Sequence, residues 1–158
     1  MLLRAGRELI GCGLEEFVVV VFEGHEAVAA QLAVLKRHGL ILVNGEFGLR
    51  LEKMAQRWQL SFESLAIDWG ETFTLDAVDA YLADHPAIGW VWCVHSETST
   101  GMLNDLGGLA AVCKARGVKF CIDCISSLGV VEIDLSQVYL ATSTSGKALG
   151  AVTGLALV

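Results

Sequence analysis

The sequence has 158 residues, about the length of one domain, and 54% of them are hydrophobic while 18% are charged. This composition excludes a disordered chain, because a disordered chain has too few apolar residues to form a core. The 18 acidic residues outnumber the 11 basic residues and give a formal net charge of −7. We therefore expect no non-specific binding to nucleic acid, which requires a basic surface.

The sequence predicts neither a membrane span nor a secretion signal. A spanning helix needs about 20 mostly apolar residues, whereas the apolar run at 17–22 is short and the segment 138–158 has Lys147 near its middle. The beginning of the chain lacks the basic start, apolar run and cleavage site of a signal peptide.

The five cysteines, an odd number, favour reduced thiols and a cytoplasmic location.

Apolar runs alternate with helical patterns along the chain. We predict helices at 2–10, 26–37, 49–58, 75–83 and 106–116, and strands at 17–22, 40–43, 62–67, 88–94, 118–124, 138–141 and 154–158. Thr74 is typical of a helix N-cap, and the strand segments are continuous apolar runs, which indicates burial on both faces. The alternation predicts a three-layer α/β fold, in which a mostly parallel mixed sheet carries helices on both faces.

Residues 1–158 are predicted to form one domain. The sequence contains no internal repeat, low-complexity tract or linker that would divide it. Because the chain stops inside an apolar strand, we expect it to be part of a longer protein.

Cys121 and Cys124 form a CxxC pair, which raises the possibility of a thiol oxidoreductase. A redox CxxC normally opens a helix, where the dipole lowers the thiol pKa, but this pair lies in the strand predicted at 118–124. Residues three apart on a strand point to opposite faces, so we expect the two sulfurs to diverge. Without a second CxxC or a spaced histidine pair, we predict no metal site.

Polar residues follow several of the predicted strands. The loop 44–48 contains Phe47, the segment 95–101 contains Thr98, Asp123 closes the strand at 118–124, and Lys147 follows the strand at 138–141. In open parallel sheets, ligands bind outside the carboxyl ends of the strands. One acid, one lysine, hydroxyl groups and an aromatic ring are therefore expected to meet at one edge of the sheet.

This set of side chains suits pyridoxal phosphate. The cofactor needs a lysine to hold it as an imine and an acid to keep its ring nitrogen protonated. Each residue also has a structural interpretation: Lys147 as a solvated charge, Asp123 as a buried carboxylate with local donors, Phe47 as a core aromatic and Thr98 as a loop cap.

A P-loop interpretation of Gly146-Lys147 fails on spacing. That motif requires Gly at position 141 and Ser or Thr at position 148, and both positions hold alanine. A dinucleotide fingerprint also fails, because Gly11-Cys12-Gly13 follows a predicted helix rather than a strand.

Four motifs occur in one order along the chain. They are Asn44-Gly45-Glu46-Phe47-Gly48-Leu49-Arg50, Val94-His95-Ser96-Glu97-Thr98-Ser99-Thr100-Gly101, Ile122-Asp123-Cys124-Ile125-Ser126-Ser127-Leu128-Gly129 and Ser145-Gly146-Lys147-Ala148-Leu149-Gly150. Together they resemble the class V aminotransferases, the group that contains alanine–glyoxylate, serine–pyruvate and 2-aminoethylphosphonate transaminases. The resemblance runs from about residue 26 to residue 158.

The resemblance implies the large domain of a fold type I enzyme that works as a homodimer and uses pyridoxal 5'-phosphate. It implies that Lys147 bears the imine, that Asp123 pairs with the pyridine nitrogen and that Phe47 stacks on the ring. It also implies that the Thr98 hydroxyl contacts the cofactor and that Ile125 packs on the other face of the ring. The reaction implied is transfer of an amino group from an alanine-like or serine-like amino acid to a 2-oxo acid such as glyoxylate or pyruvate.

The resemblance places the phosphate-binding loop at Gly24 and His25. This loop is about one helical turn shorter than the family pattern, and Glu23 brings a negative charge beside it. Gly146 stands where many relatives have Gln, and the small C-terminal domain with its substrate-binding arginine is expected to be absent. These departures favour an alternative, a catalytically inactive remnant of the same fold.

Overall fold

The computed structural model describes residues 2–5, 17–20 and 36–158. The strands are β1 (Leu2–Ala5), β2 (Phe17–Val20), β3 (His38–Val43), β4 (Phe62–Ala66), β5 (Ile88–Val94), β6 (Ser96–Glu97), β7 (Met102–Leu103), β8 (Lys119–Asp123), β9 (Leu140–Thr144) and β10 (Ala156–Leu157). The helices of the described residues are α1 (Glu46–Arg57), α2 (Leu75–Asp84) and α3 (Leu106–Ala115). The helix predicted at 26–37 lies, up to residue 35, outside these residues.

Eight of the described strands form one sheet in the order β1-β2-β10-β9-β8-β5-β3-β4. The run from β9 through β8, β5 and β3 to β4 is parallel, while β1, β2 and β10 pair antiparallel at the other end. The predicted mostly parallel mixed sheet is therefore confirmed. β6 and β7 form a separate antiparallel pair beyond the end of β5.

Alternate residues of the central strands enter two different cores. Leu40 and Leu42 of β3 point to the face covered by α2 and α3, whereas Ile41 and Val43 point to the face covered by α1. This is the two-residue period of a strand that is buried on both sides. Helices on both faces, as predicted, make the fold a three-layer α/β structure.

The predicted N-cap and most predicted elements have close counterparts. Thr74 caps α2 by accepting a hydrogen bond from the Ala77 N–H at 3.4 Å, and β5 has the predicted bounds, Ile88–Val94. None of the helices in the described part of the chain combines the length and apolar character that a bilayer span requires.

The helix predicted at 2–10 is wrong over Leu2–Ala5, which forms β1; residues 6–10 lie outside the described part. β1 pairs antiparallel with β2 from Leu2↔Val20 to Ala5↔Phe17, so interstrand hydrogen bonds outweigh a weak local helix preference. β2 confirms a strand at 17–20, while residues 21–22 of that prediction are not described.

Two predicted boundaries near the sheet edge are also wrong. Glu46–Gly48, predicted as loop, is the first turn of α1. The strand predicted at 138–141 lies instead at Leu140–Thr144, because β9 is held by β8 on one side and by β10 on the other. The polar side chains at 142–144 do not prevent this pairing, because the neighbouring strands bond to the backbone of β9.

Replacing Leu109 with alanine tests the core between α3 and the sheet. Leu109 is only 1% exposed, so Leu109→Ala is expected to lower the free energy of unfolding by about 2–5 kcal/mol. Urea denaturation followed by circular dichroism measures the loss. As a control, Val130→Ala at a side chain that is 66% exposed is expected to change stability by less than about 0.5 kcal/mol. Equal effects of both substitutions would contradict this packing.

Candidate active site

A cavity of about 840 Å³ opens at the carboxyl ends of β5, β8 and β9. Four of the residues singled out in the sequence line it: Phe47, Asp123, Ile125 and Lys147. They come from three separate segments of the chain, at the end of β3, the end of β8 and the β9–β10 connection. The structure thus brings together the predicted acid, lysine and aromatic ring at one edge of the sheet.

Asp123 is the last residue of β8 and lines this cavity. It is only 4% exposed, and β8 is paired in parallel with β5 and β9 so that Val94, Asp123 and Thr142 lie side by side. Its Oδ1 accepts a hydrogen bond from the Ile125 N–H at 2.8 Å. This local turn fixes the carboxylate and presents Ile125 to the same cavity.

Lys147 lies in the connection between β9 and β10 and is exposed. Ser145, which is 5% exposed, closes this connection: its Oγ donates to the Val152 carbonyl at 2.6 Å and accepts from the Leu155 N–H at 3.3 Å. The Gly150 N–H also donates to the Lys147 carbonyl at 3.0 Å. The backbone that carries Lys147 is therefore held in place, and Lys147 is one of the residues that line the cavity.

Phe47 lies in the first turn of α1 and is partly buried. The guanidinium carbon of Arg50 lies 4.7 Å from the centre of its ring, within the range of a cation–π contact. The Glu46 carboxylate accepts from Arg50 Nε at 3.4 Å. The ring is thus supported by its own helix at the rim of the cavity.

Thr98, Gly24 and His25 are the remaining predicted cofactor-binding residues. Thr98 is exposed and is not among the lining residues. Gly24 and His25 lie outside the described residues, so their contacts with a phosphate stay predictions.

A row of basic side chains on α1 also lines the cavity and was not predicted from the sequence. Arg50, Lys53 and Arg57 recur at helical spacing and all line the cavity. Together with Lys147 they make four cationic side chains among the lining residues that the structure describes, and Asp123 is the only carboxylate of that set. The spacing of three and four residues within a predicted helix was a usable signal. The resulting charge balance favours an anionic ligand.

A buried amide pair joins the loops that follow β3 and β5. Asn44 Nδ2 donates to Asn104 Oδ1 at 2.9 Å, and Asn104 Nδ2 donates back to Asn44 Oδ1 at 3.3 Å. Asn104 Nδ2 also donates to the Val94 carbonyl at 2.8 Å, and Asn44 Nδ2 to the Glu71 carbonyl at 3.0 Å. No local sequence pattern predicts this pair, because its members are 60 residues apart.

The cysteine pair does not form a redox site. Cys121 packs in the core beneath α1, while Cys124 packs in the core on the opposite face of the sheet. The divergence expected from strand geometry is therefore confirmed. No group of three or more His, Cys, Asp or Glu side chains with a geometry for metal binding occurs in the described segments.

The donor set of the cavity fits pyridoxal phosphate. Lys147 offers an amine and the buried Asp123 offers a carboxylate, while Phe47 and Ile125 offer flat and apolar surfaces. Ser143 also lines the cavity, and its buried hydroxyl has no hydrogen-bond partner among the described residues. These are the groups that an aldehyde, a pyridine nitrogen, a ring and a polar substituent require.

The sequence is similar to known aminotransferases over most of its length. The family model described as aminotransferase class-V matches residues 22–158. A 2-aminoethylphosphonate–pyruvate transaminase from Bacteroides fragilis is 32% identical over 96% of this chain and 45% of that protein. A Pseudomonas aeruginosa protein of the same name is 36% identical over 94% of this chain and 41% of that protein. The chain therefore spans less than half the length of these curated relatives.

Solved structures agree on the fold. An alanine–glyoxylate aminotransferase from Nostoc sp. superposes with a TM-score of 0.77 at 32% identity, covering 89% of this chain and 38% of that one. A pyridoxamine–pyruvate aminotransferase from Mesorhizobium loti gives a TM-score of 0.82 at 26% identity, covering 90% of this chain and 38% of that one.

A double-mutant cycle tests the buried amide pair. Asn44→Ala and Asn104→Ala each leave the partner amide buried without its main contact, at an expected cost of about 1–3 kcal/mol in stability. The double variant is expected to lose less than the sum of the two, by about 0.5–3 kcal/mol. Chemical denaturation of the four proteins measures this coupling. Strict additivity would show that the two side chains do not interact.

Thiol labelling tests the burial of the described cysteines. Burial raises the pKa of the thiols of Cys113 and Cys124 to about 12, and it also raises the pKa of Cys93 and Cys121. In a Cys12→Ser variant at pH 7.5, these four thiols are expected to react slowly with iodoacetamide in the native protein. They should react fully in denaturant, as measured by mass spectrometry. Rapid native labelling of Cys121 and Cys124 would revive the redox interpretation.

Proposed function

Since this chain belongs to the class V aminotransferase family, we propose that its cavity binds pyridoxal 5'-phosphate and serves amino-group transfer between an amino acid and a 2-oxo acid. The observation that carries the proposal is that Asp123 and Lys147 line the same cavity. An acid and a lysine at one edge of the sheet are the two side chains that this cofactor needs most.

The proposal assigns one task to each residue. When bound, pyridoxal phosphate supplies an aldehyde that reacts with amines and a ring that accepts electrons from the substrate α-carbon. Lys147 would hold the cofactor covalently through Nζ and later move the α-proton. Asp123 would keep a proton on the pyridine nitrogen, because a nearby carboxylate favours the charged form of that nitrogen. Phe47 and Ile125 would pack on the two faces of the ring.

The substrate proposal follows the relatives and the charge of the cavity. The names of the relatives give 2-aminoethylphosphonate or alanine as amino donors and pyruvate or glyoxylate as acceptors. Every one of these donors and acceptors carries an anionic group, and Arg50, Lys53 and Arg57 give the cavity the opposite charge. We propose an alanine-like or serine-like donor with glyoxylate or pyruvate as the acceptor.

The second candidate is a catalytically inactive remnant of the same fold. It is favoured by the short Glu23-Gly24-His25 segment and by Gly146 directly before the lysine. The organisation of residues 1–158 as one cofactor-binding domain, the homodimer and the cytoplasmic location remain predictions within either candidate.

Cofactor titration of the 158-residue chain separates the two candidates. We expect added pyridoxal phosphate to give the visible absorbance band of a lysine-bound cofactor, and borohydride reduction followed by peptide mapping to find the adduct on Lys147. Lys147→Ala is expected to lose both signals. The matched control is Lys53→Ala, which removes another cavity lysine and should keep the band.

Absence of the band from the parent chain would leave the remnant candidate in place. An adduct on Lys53 instead of Lys147 would contradict the assignment of the reactive lysine.

A further inference from the structure

Glu97 in β6 is a charged residue that the proposed reaction does not use. Its side chain is fully buried, with 0% exposure. Oε2 accepts hydrogen bonds from the backbone N–H groups of Gly48 at 3.0 Å and Phe47 at 3.1 Å. Oε1 accepts from the Ser99 hydroxyl at 2.6 Å and from the Ser99 N–H at 3.3 Å. A buried carboxylate is costly, and here both oxygens are satisfied by donors.

Two of these donors belong to the N-terminus of α1. The first N–H groups of a helix have no partner within the helix, and an N-cap side chain usually accepts from them. The N-cap position of α1 is Gly45, which makes no side-chain cap. Glu97 in β6 takes over this task, although it lies 50 residues after Phe47 in the chain. Its negative charge also lies at the positive end of the helix dipole.

The close approach of Glu97 explains why position 45 is glycine. A Cβ on Gly45 would lie 2.5 Å from both Cγ and Cδ of Glu97 and 2.7 Å from Ser99 Oγ. Ser99 extends the same link, because its Oγ also accepts from the Glu46 N–H at 3.0 Å. The loop after β5 and the start of α1 are thus joined through one carboxylate.

We propose that Glu97 is a positioning residue for the cofactor site: by anchoring the first turn of α1, it holds the Phe47 ring at the cavity rim and thereby sets cofactor affinity. The proposal rests on the proposed function, since it takes Phe47 as a surface of the cofactor pocket. Glu97 itself is not a lining residue of the cavity, so it acts through the backbone of Phe47 and Gly48.

The contacts favour a carboxylate over an amide. The N–H groups of Phe47, Gly48 and Ser99 can only donate to its two oxygens, whereas the Ser99 hydroxyl can also accept. In Glu97→Gln, the amide NH2 would face at least one of these N–H groups. This variant therefore keeps the size of the side chain while it removes the charge and at least one hydrogen bond of the anchor.

The experiment compares Glu97→Gln with a cap on a different helix. Asp105 caps α3 by accepting from the Gly108 N–H at 2.9 Å, and it does not line the proposed cofactor cavity. Glu97→Gln is expected to weaken pyridoxal phosphate binding about tenfold, equivalent to about 1.4 kcal/mol, and to alter the circular dichroism of the cofactor band. Asp105→Ala should lower thermal stability while affinity and the dichroism band stay at parental values.

A second variant and a measurement without cofactor keep the proposal testable if Glu97→Gln does not fold. Ser99→Ala removes an exposed partner of the carboxylate and is expected to weaken binding in the same direction, by about two- to threefold. In the protein without cofactor, hydrogen exchange at the amides of Phe47 and Gly48 should accelerate in Glu97→Gln and stay at the parental rate in Asp105→Ala.

The outcomes separate this inference from the proposed function. Parental cofactor affinity and dichroism in both Glu97→Gln and Ser99→Ala would overturn the positioning role, as would an affinity loss in Asp105→Ala equal to that in Glu97→Gln. If the parent chain binds no cofactor, the proposed function fails and the link from Glu97 to affinity fails with it. The amide exchange would then still decide whether Glu97 anchors α1: unchanged rates would refute the anchor, and faster rates would support it.

Discussion

The parallel pairing of β5, β8 and β9 is the constraint on which the candidate site depends. This pairing aligns Val94, Asp123 and Thr142 across three strands. Asp123, the last residue of the middle strand, therefore lies at the same edge of the sheet as the segments that follow β5 and β9. Because β9 continues into the connection that carries Lys147, the lysine reaches the edge where Asp123 ends. A shift of β8 by one residue would turn Asp123 toward the opposite core.

Polar contacts between loops then fix what the sheet brings together. The Asn44–Asn104 pair and the Glu97 carboxylate both join the segment after β3 to the segment after β5. Ser145 performs a similar task for the connection between β9 and β10. Each of these side chains is buried, and a hydrogen bond is electrostatically stronger in such surroundings than in water. The side chain of Lys147 is exposed, but hydrogen bonds hold the backbone of the connection that carries it.

Much of the fold could be predicted from the sequence because the relevant signals are local. The β5 segment Ile88–Val94 is a continuous apolar run, and the Thr74 cap lies next to its own helix. The opposite orientations of Cys121 and Cys124 followed from the two-residue period of a strand. The shared cavity of Asp123 and Lys147 followed from a general rule on where parallel strands end.

The remaining errors involve interactions that no local pattern displays. Leu2–Ala5 was predicted as helix because its partner strand, β2, is distant in the chain. The start of α1 at Glu46 was missed because the group that caps it is Glu97, 50 residues away. The contact expected between Thr98 and the cofactor is not one of these errors and stays a prediction.

The most direct test of the account concerns the proton on the pyridine nitrogen. We would bind pyridoxal phosphate labelled with ¹⁵N in its ring to the parent chain and to Asp123→Asn, and measure the nitrogen chemical shift by NMR at neutral pH. We expect a protonated nitrogen in the parent and a shift toward the unprotonated value in Asp123→Asn, which retains the shape of the side chain but not its charge. The same nitrogen chemical shift in both proteins would contradict the claim that Asp123 keeps a proton on the pyridine nitrogen of the cofactor.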